Sequence, residues 1–465
     1  MPEDISRMAP PSLAQGDRLY QGFPDFSAWG EPPPGDVDLW SRFAASLEER
    51  RREASPETLK AALEVAVRAA ALDTGAIEGL YNVDRGFTMT VAVQGLAWQQ
   101  MIEERGAGVR ELFEAQLAAY ELVLDAVTRE RPITEVWIRH LHETLCAPRK
   151  TFRVLTDMGW QEQELPKGQY KTRPNHVLLT DGTIHAYAPV DRVPDEMHRL
   201  IEQIRTPEFE AAHPVLQASY CHYAFVVIHP FADGNGRVAR ALASTFFYRA
   251  QSIPLVIFAY QRPAYLDALR AADRGDFRPV ISFFLDRGID TMQLVSESLR
   301  TAESPTIQEL KARIGNPVRS WSGLYDSEID AIGTRISRVV QEEFRGQIED
   351  LKMPSLWAQV DFVGGSSPAP PHYRDASPAS VSVLIRIRDS QPTLSGTGMI
   401  VFVFYATDPN PFPILIRSGS NDDSLEARLE DVNPELAPNF LLRLEQWVKR
   451  QIGYMLSEIA RKMGS

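Results

Sequence analysis

The chain has 465 residues, room for two to four domains at roughly 150 residues each, and its 44% hydrophobic and 24% charged residues exclude wholesale disorder. Forty-nine Lys and Arg against 62 Asp and Glu leave a formal charge of -13 and a pI near 5.3. That balance argues against a body built to coat a polyanion, so no nucleic-acid partner is expected.

The apolar stretch Gly398 to Ala406 falls well short of the roughly 20 residues that cross a bilayer. Met1 to Gln15 lacks the apolar core of a signal peptide. A cytoplasmic protein with no membrane contact is expected. Only Cys146 and Cys221 occur, in helical contexts and outside any CxxC pair, which fits a reducing compartment and disfavours a thiolate zinc site.

Residues 1–54 read as a Pro/Gly-rich N-terminal arm whose aromatics Tyr20, Phe23, Phe26 and Trp29 pack onto something. Ser55-Pro56-Glu57 is a helix start, with a capping Ser and Pro at the first helical position. Helical spacing then runs toward Asp73 and recurs over Val93 to Leu124 and Ile133 to Leu145. Residues 55–130 form one helical region and 131–300 a second, larger one.

Within the latter, Thr180-Asp181-Gly182-Thr183 between short apolar runs signals a hairpin. Helices follow from Val193, from Pro214 to the approach of His229, and over Arg237 to Ala250, Tyr265 to Asp273 and Val280 to Leu299. A break at Ser304-Pro305 opens a linker over 301–320. A chain ending near Leu299 is expected to fold alone. Residues 321–465 read as a separate α+β domain: a long helix from Asp326 to Lys352, four strands between Gln359 and Arg417, and a closing helix over Pro434 to Lys462. The expected class is therefore mainly α, followed by a smaller α+β domain of unknown role.

One stretch carries chemistry: His229-Pro230-Phe231-Ala232-Asp233-Gly234-Asn235-Gly236-Arg237-Val238-Ala239-Arg240. It leaves an apolar helix, passes two glycines and enters another helix, which is the geometry of an anion nest backed by a helix dipole. Arg237 and Arg240 stand three apart on one helical face, and two guanidinium forks suit a polyphosphate. Asp233 supplies a hard oxygen of the kind Mg²⁺ takes. His229 is the nearby group whose ordinary pKa suits a general base.

These twelve residues match the signature His-x-Phe-x-Asp/Glu-Gly-Asn-Gly-Arg-x-x-Arg, and the chain over roughly 55 to 300 resembles the Fic (Fido) family, whose members are mostly protein adenylyltransferases. The resemblance implies a helical core with a β-hairpin flap, ATP as substrate and Mg²⁺ as its companion, and a partner protein bearing a Ser, Thr or Tyr hydroxyl. It assigns His229 as base and Asp233 as metal ligand. Gly234, Asn235, Gly236, Arg237 and Arg240 become nucleotide ligands. Asp273 stands where the family often has Asn near the adenine, which opens the base preference.

The flap is matched to Val177, Leu178, Leu179 and Thr180, returning through Ile184 to Tyr187. Thr74-Gly75-Ala76-Ile77-Glu78-Gly79 fits the family's inhibitory pattern, carried by Thr74, Glu78 and Gly79, with Glu78 pairing to Arg240 and holding the enzyme off. Rival readings are removal of AMP, transfer of another nucleotide, an inactive binding module, and a metallohydrolase using His140, His142, His222, His229 and Asp233. A homo-oligomer is allowed.

Overall fold

The computed structural model describes residues 14–93, 98–103, 105–106, 108–156, 159–179, 183–302, 321–364, 369–388 and 396–464. Its helices in chain order are α1 (Ala14–Leu19), α2 (Pro34–Glu53), α3 (Pro56–Ile77), α4 (Arg85–Val93), α5 (Trp98–Glu103), α6 (Val109–Thr128), α7 (Glu135–Leu145), α8 (Val193–Gln203), α9 (Pro207–Glu210), α10 (Pro214–Ile228), α11 (Asn235–Gln251), α12 (Arg262–Asp273), α13 (Arg278–Ala302), α14 (Asp326–Asp350) and α15 (Pro438–Gly464). The strands are β1 (Thr151–Thr156), β2 (Gly159–Glu164), β3 (Val177–Leu178), β4 (Ile184–His185), β5 (Leu356–Gly364), β6 (Tyr373–Asp375), β7 (Ala379–Ile387), β8 (Gly396–Ala406), β9 (Ile414–Ser418) and β10 (Ser424–Ala427). The chain is mainly α, as expected. Among the described residues no helix is long and apolar enough to cross a membrane.

The described residues fall into two compact units, one within Met1–Asp36 and Lys60–Thr291, the other within Val37–Leu59 and Met292–Ser465. At the centre of the first stand α10 and α11, packed on each other and flanked by α6, α7 and α8. Apolar side chains cover α10 all round, so it has no solvent face and must lie inside. Tyr220 on α10 receives Phe23, Phe26 and Trp29 edge-on, with ring centroids 6.2, 5.2 and 5.5 Å away. Trp29 also stacks on Phe277 at 4.5 Å. The early aromatics thus strap the N-terminal segment onto the core.

Two corrections arise here. Pro34–Glu53 is a 20-residue helix, where an arm had been expected to reach residue 54. The run Pro32-Pro33-Pro34 reads as extended chain, yet Pro34 takes the first helical position, where its missing N–H costs nothing. A second hairpin, β1 paired antiparallel with β2, stands where only one hairpin was expected. Its second strand, GWQEQE, carries one apolar residue, so the usual amphipathic signal is weak there.

In the second unit, β10-β9-β8-β7-β5 form an antiparallel sheet, with β6 beside β8. α14 packs across β5, β7 and β8, and α15 across β8 and β10. β6 and β10 were not expected. Leu39, Trp40, Phe43 and Leu47 of α2 are buried, and Arg50 lies buried with a two-pronged grip on Glu328, one arm being Nε to Oε1 at 2.9 Å. The division between units falls inside α13 at Thr291–Met292. Residues 303–320 of the expected linker lie outside the described residues.

Candidate active site

His229 closes α10 in the left-handed conformation (φ 51°, ψ 58°), its amide donating to Phe225 O at 2.9 Å. Nδ1 lies 3.2 Å from the carbonyl of Val226. A carbonyl only accepts, so Nδ1 carries the hydrogen and Nε2 keeps its lone pair. The ring stacks on Tyr187 at 3.8 Å, nearly parallel. Burial, aided by the charge of Lys171, pulls the imidazole pKa down to about 3. The ring is therefore neutral throughout the physiological range.

Beyond it the loop is pinned from three sides. Phe231 is fully buried, and Asn235 spans the turn, its Oδ1 accepting from Phe231 N at 2.9 Å and its Nδ2 donating to Phe231 O at 2.7 Å. The Asn235 amide thus locks the loop, and what it offers an anion is its backbone N–H. Asn175 donates to the carbonyls of Phe231 at 2.8 Å and His229 at 3.3 Å. Lys171 bonds Asn175 Oδ1 through Nζ at 2.6 Å and the Pro230 carbonyl through its amide at 2.8 Å. Burial pushes the Lys171 ammonium down to about 7. On the third side His142 accepts from Gly168 N at 2.9 Å, donates through Nε2 to Asp233 O at 3.0 Å, and stacks on Phe231 at 3.9 Å.

Gly234 sits at φ 84°, and a Cβ there would stand 2.8 Å from Cys146 Sγ. Only glycine fits. The first amides of α11 have no carbonyl one turn back within the helix, which makes this helix start suited to an anion. Arg237 is fully buried, with Nη1 3.4 Å from Leu145 O and Nη2 3.9 Å from Asp233 Oδ1. Its Nε and Nη2 have no hydrogen-bond partner among the described residues, and neither has Nη1 of Arg240. Unpartnered guanidinium donors at a helix N-terminus are a demand for an anion.

Asp233 accepts from Gly234 N through Oδ1 at 2.6 Å, while its Oδ2 pairs with Arg149 Nη1 at 2.9 Å. A single carboxylate does not make a protein cage for a divalent ion, and among the described residues no cluster of three or more His, Cys, Asp or Glu side chains does so. It fits Mg²⁺ of the kind that keeps waters and arrives with phosphate oxygens. The histidines proposed for a metallohydrolase do not converge: His140 faces Glu143 at 3.7 Å on the surface, and His222 is buried against Tyr265 OH at 3.0 Å.

The end of α3 reaches the same place. Arg240 Nε donates to Thr74 Oγ1 at 2.8 Å, and Nη2 donates to Thr74 O at 3.0 Å and to Glu78 Oε1 at 2.7 Å. Gly79 follows at φ 69° and turns the chain away. Arg262 Nε holds Ile77 O at 3.0 Å and Asp73 Oδ1 accepts from Ala259 N at 2.6 Å, so the helix end is fixed on both flanks. Gly236 leaves room for the carboxylate, since a Cβ there would lie 2.3 Å from Glu78 Oε1.

The expected flap is the pair β3–β4, with Val177 opposite His185, Leu178 opposite Ile184, and Leu179 N donating to Thr183 O at 2.8 Å. Val177 and Leu179 are exposed. Thr180 and the Asp181-Gly182 turn lie outside the described residues. Asp273 ends α12, its Oδ1 accepting from Tyr223 OH at 3.2 Å and its Oδ2 3.9 Å from His185 Nδ1. Burial raises its carboxyl pKa. His185 packs on Tyr187 at 4.9 Å, so a line of rings joins Asp273 to His229.

Sequence reasoning missed Arg149 and Asn175, which meet the motif through the fold and not through spacing, and it gave Lys171 and Tyr187 no role beyond the flap. For Asn175 the available signal was its place just ahead of the hairpin.

Residues 132–247 match the Fic/DOC family, so the resemblance carried by the motif holds over this segment. A stretch of 98 residues is 40% identical to a protein adenylyltransferase Fic of Drosophila persimilis and 39% identical to that of Drosophila mojavensis. It covers 21% of this chain and 19% and 20% of those proteins. The chain thus spans about a fifth of the length of the curated relatives it matches. Among solved structures, a Fic domain containing signaling protein from Bacteroides thetaiotaomicron is 24% identical over 57% of this chain and 97% of its own, with a TM-score of 0.47. A Fic family protein from Desulfovibrio desulfuricans is 20% identical over 80% of this chain and all of its own, with a TM-score of 0.43.

Proposed function

We propose that this chain transfers AMP from ATP to a Ser, Thr or Tyr hydroxyl of a protein and that Glu78 holds it in an off state. The observation that carries the reading is the neutral His229, with its lone pair on Nε2, beside an anion nest and two buried arginines with unpartnered donors. In the reaction the hydroxyl oxygen bonds to the α phosphorus, the bond from that phosphorus to the bridging oxygen breaks, and pyrophosphate leaves with the electron pair.

His229 Nε2 takes the hydroxyl proton. Bound phosphates add negative charge beside the ring and raise its basicity from the low value of the free site. Arg237 and the first amides of α11 hold the phosphates, and Arg240 joins them once Glu78 lets go. Asp233 would hold Mg²⁺, which supplies charge neutralisation across the phosphates. The flap adds a strand to the target segment and sets the hydroxyl over the nest.

A second reading concerns the base. Asp273 offers only acceptors while ionised, and guanine presents two donors, N1–H and the 2-amino group, to such a carboxylate, whereas adenine presents one donor and one acceptor. Transfer of GMP is therefore the competing activity. Incubating a Glu78→Gly protein with labelled ATP, GTP and UTP, Mg²⁺ and a lysate decides: protein-bound label from ATP supports the first reading, label from GTP the second, and none from any nucleotide sinks both.

A further inference from the structure

The pairing of Arg149 with Asp233 has no part in the chemistry above. We propose that Arg149 is a resident cation of the site, which neutralises Asp233 while no divalent ion is present and competes with that ion for Oδ2. This rests on the reading of Asp233 as the metal ligand.

Arg149 Nη1 stands 2.9 Å from Oδ2, and Nη2 donates to the Thr151 carbonyl at 3.3 Å, at the first residue of β1. The guanidinium is therefore held from the β1–β2 hairpin, on the side of Asp233 away from the nest amide. The other oxygen, Oδ1, is already taken by Gly234 N at 2.6 Å and faces Arg237 Nη2 at 3.9 Å. With the Gly234 amide and the Arg237 cation both beside Oδ1, the oxygen more open to a metal ion is Oδ2, which is where Arg149 stands.

Exposure sets the character of the pair. The side chains are 26% and 29% exposed, so water reaches both and the contact can open without stranding a buried charge. A fully buried pair would exclude the ion permanently. With Arg149 absent, a bare carboxylate beside the nest repels phosphates that arrive without metal, and the same carboxylate takes a divalent ion more readily. The two effects have opposite signs, which separates this role from a structural one.

The test is calorimetric binding of ADP to the full chain, first in EDTA and then across rising Mg²⁺. Arg149→Ala should weaken metal-free binding about three- to tenfold, and should lower the Mg²⁺ concentration that gives half of the metal effect by a similar factor. Arg149→Lys keeps the charge and should follow the parent protein in both, with unchanged melting temperature confirming the fold of each variant.

In an Asp233→Ala background, Arg149→Ala should change metal-free binding by less than about twofold. A persistent loss there makes Arg149 a plain phosphate ligand and overturns the proposal. So does an Arg149→Ala protein that needs more Mg²⁺ and not less. If Asp233→Ala alone leaves the Mg²⁺ dependence intact, it is the assignment of Asp233 that fails, whatever Arg149 does.

Discussion

Glu78 Oε1 lies 2.7 Å from Nη2 of Arg240, in the space that a side chain on Gly236 would fill. The same guanidinium is gripped by Thr74 through both its hydroxyl and its carbonyl. Arg240 is thus held by three oxygens from one helix end, and of these only the Glu78 carboxylate is at the tip of a mobile side chain.

Removing that carboxylate should free one N–H of Nη2 while Thr74 keeps the guanidinium aimed. Glu78→Gly should raise transfer about ten- to a hundredfold, the worth of one charge-assisted hydrogen bond in a half-buried site. Adding Arg240→Ala should cancel the gain. Rates of label incorporation for the three proteins check this, and unchanged transfer by Glu78→Gly removes the inhibitory role.

The base has a separate signature. His229→Ala leaves Gly234, Arg237 and the α11 amides untouched, so nucleotide affinity should stay within about threefold while transfer falls by about 10² to 10⁴. Equilibrium binding and single-turnover rates of the Glu78→Gly and Glu78→Gly/His229→Ala proteins test the split. Near-parental transfer by the double variant ends the mechanism.

Sequence spacing exposes what is contiguous. The run His229 to Arg240 lies in one stretch, and the Thr74 to Gly79 pattern is short, so both are readable as strings and both come together in space. Asn175 and Lys171 pin the same loop but reach it through backbone carbonyls of His229, Phe231 and Pro230, and a carbonyl leaves no mark on a sequence. Arg149 stands two residues ahead of a hairpin whose strand Gly159–Glu164 has the sequence GWQEQE, without the apolar alternation that announces a strand. Pro34 closes a proline run that reads as extended chain, yet the same residue also serves to start a helix.

Acid should loosen the fold for a stated reason. Burial holds His142 down at about 4 and His222 at about 3, against about 6.5 in the unfolded chain. The unfolded state then binds protons that the folded state refuses. The stability these groups contribute is complete above pH 6.5 and is lost as pH falls toward 4 and 3, at up to about 1.4 kcal/mol per pH unit for each. Urea midpoints measured between pH 7 and 4.5 should fall accordingly, and His222→Phe should flatten the slope by one proton. A pH-independent midpoint contradicts the prediction.

A chain ending near Leu299 does not match a compact unit, contrary to the reading from composition. Leu39, Trp40, Phe43 and Leu47 belong to the unit that also holds Met292–Ser465, and truncation exposes that apolar face of α2. Such a chain should aggregate, and exchanging the four residues for Ser or Lys should restore a monodisperse species in sedimentation. Full solubility without the exchanges shows that the face needs no cover.

His229 is the only residue of the His229–Arg240 run, apart from Gly234, with a positive φ. An L-residue in that region costs about 1 to 2 kcal/mol that glycine would not, and Phe225 O and Val226 O hold it there. A His229→Gly protein should therefore melt higher than the His229→Ala protein used as its inactive control. The backbone cost at this one position stays with any side chain placed there, so the alanine variant loses the base without relieving the strain.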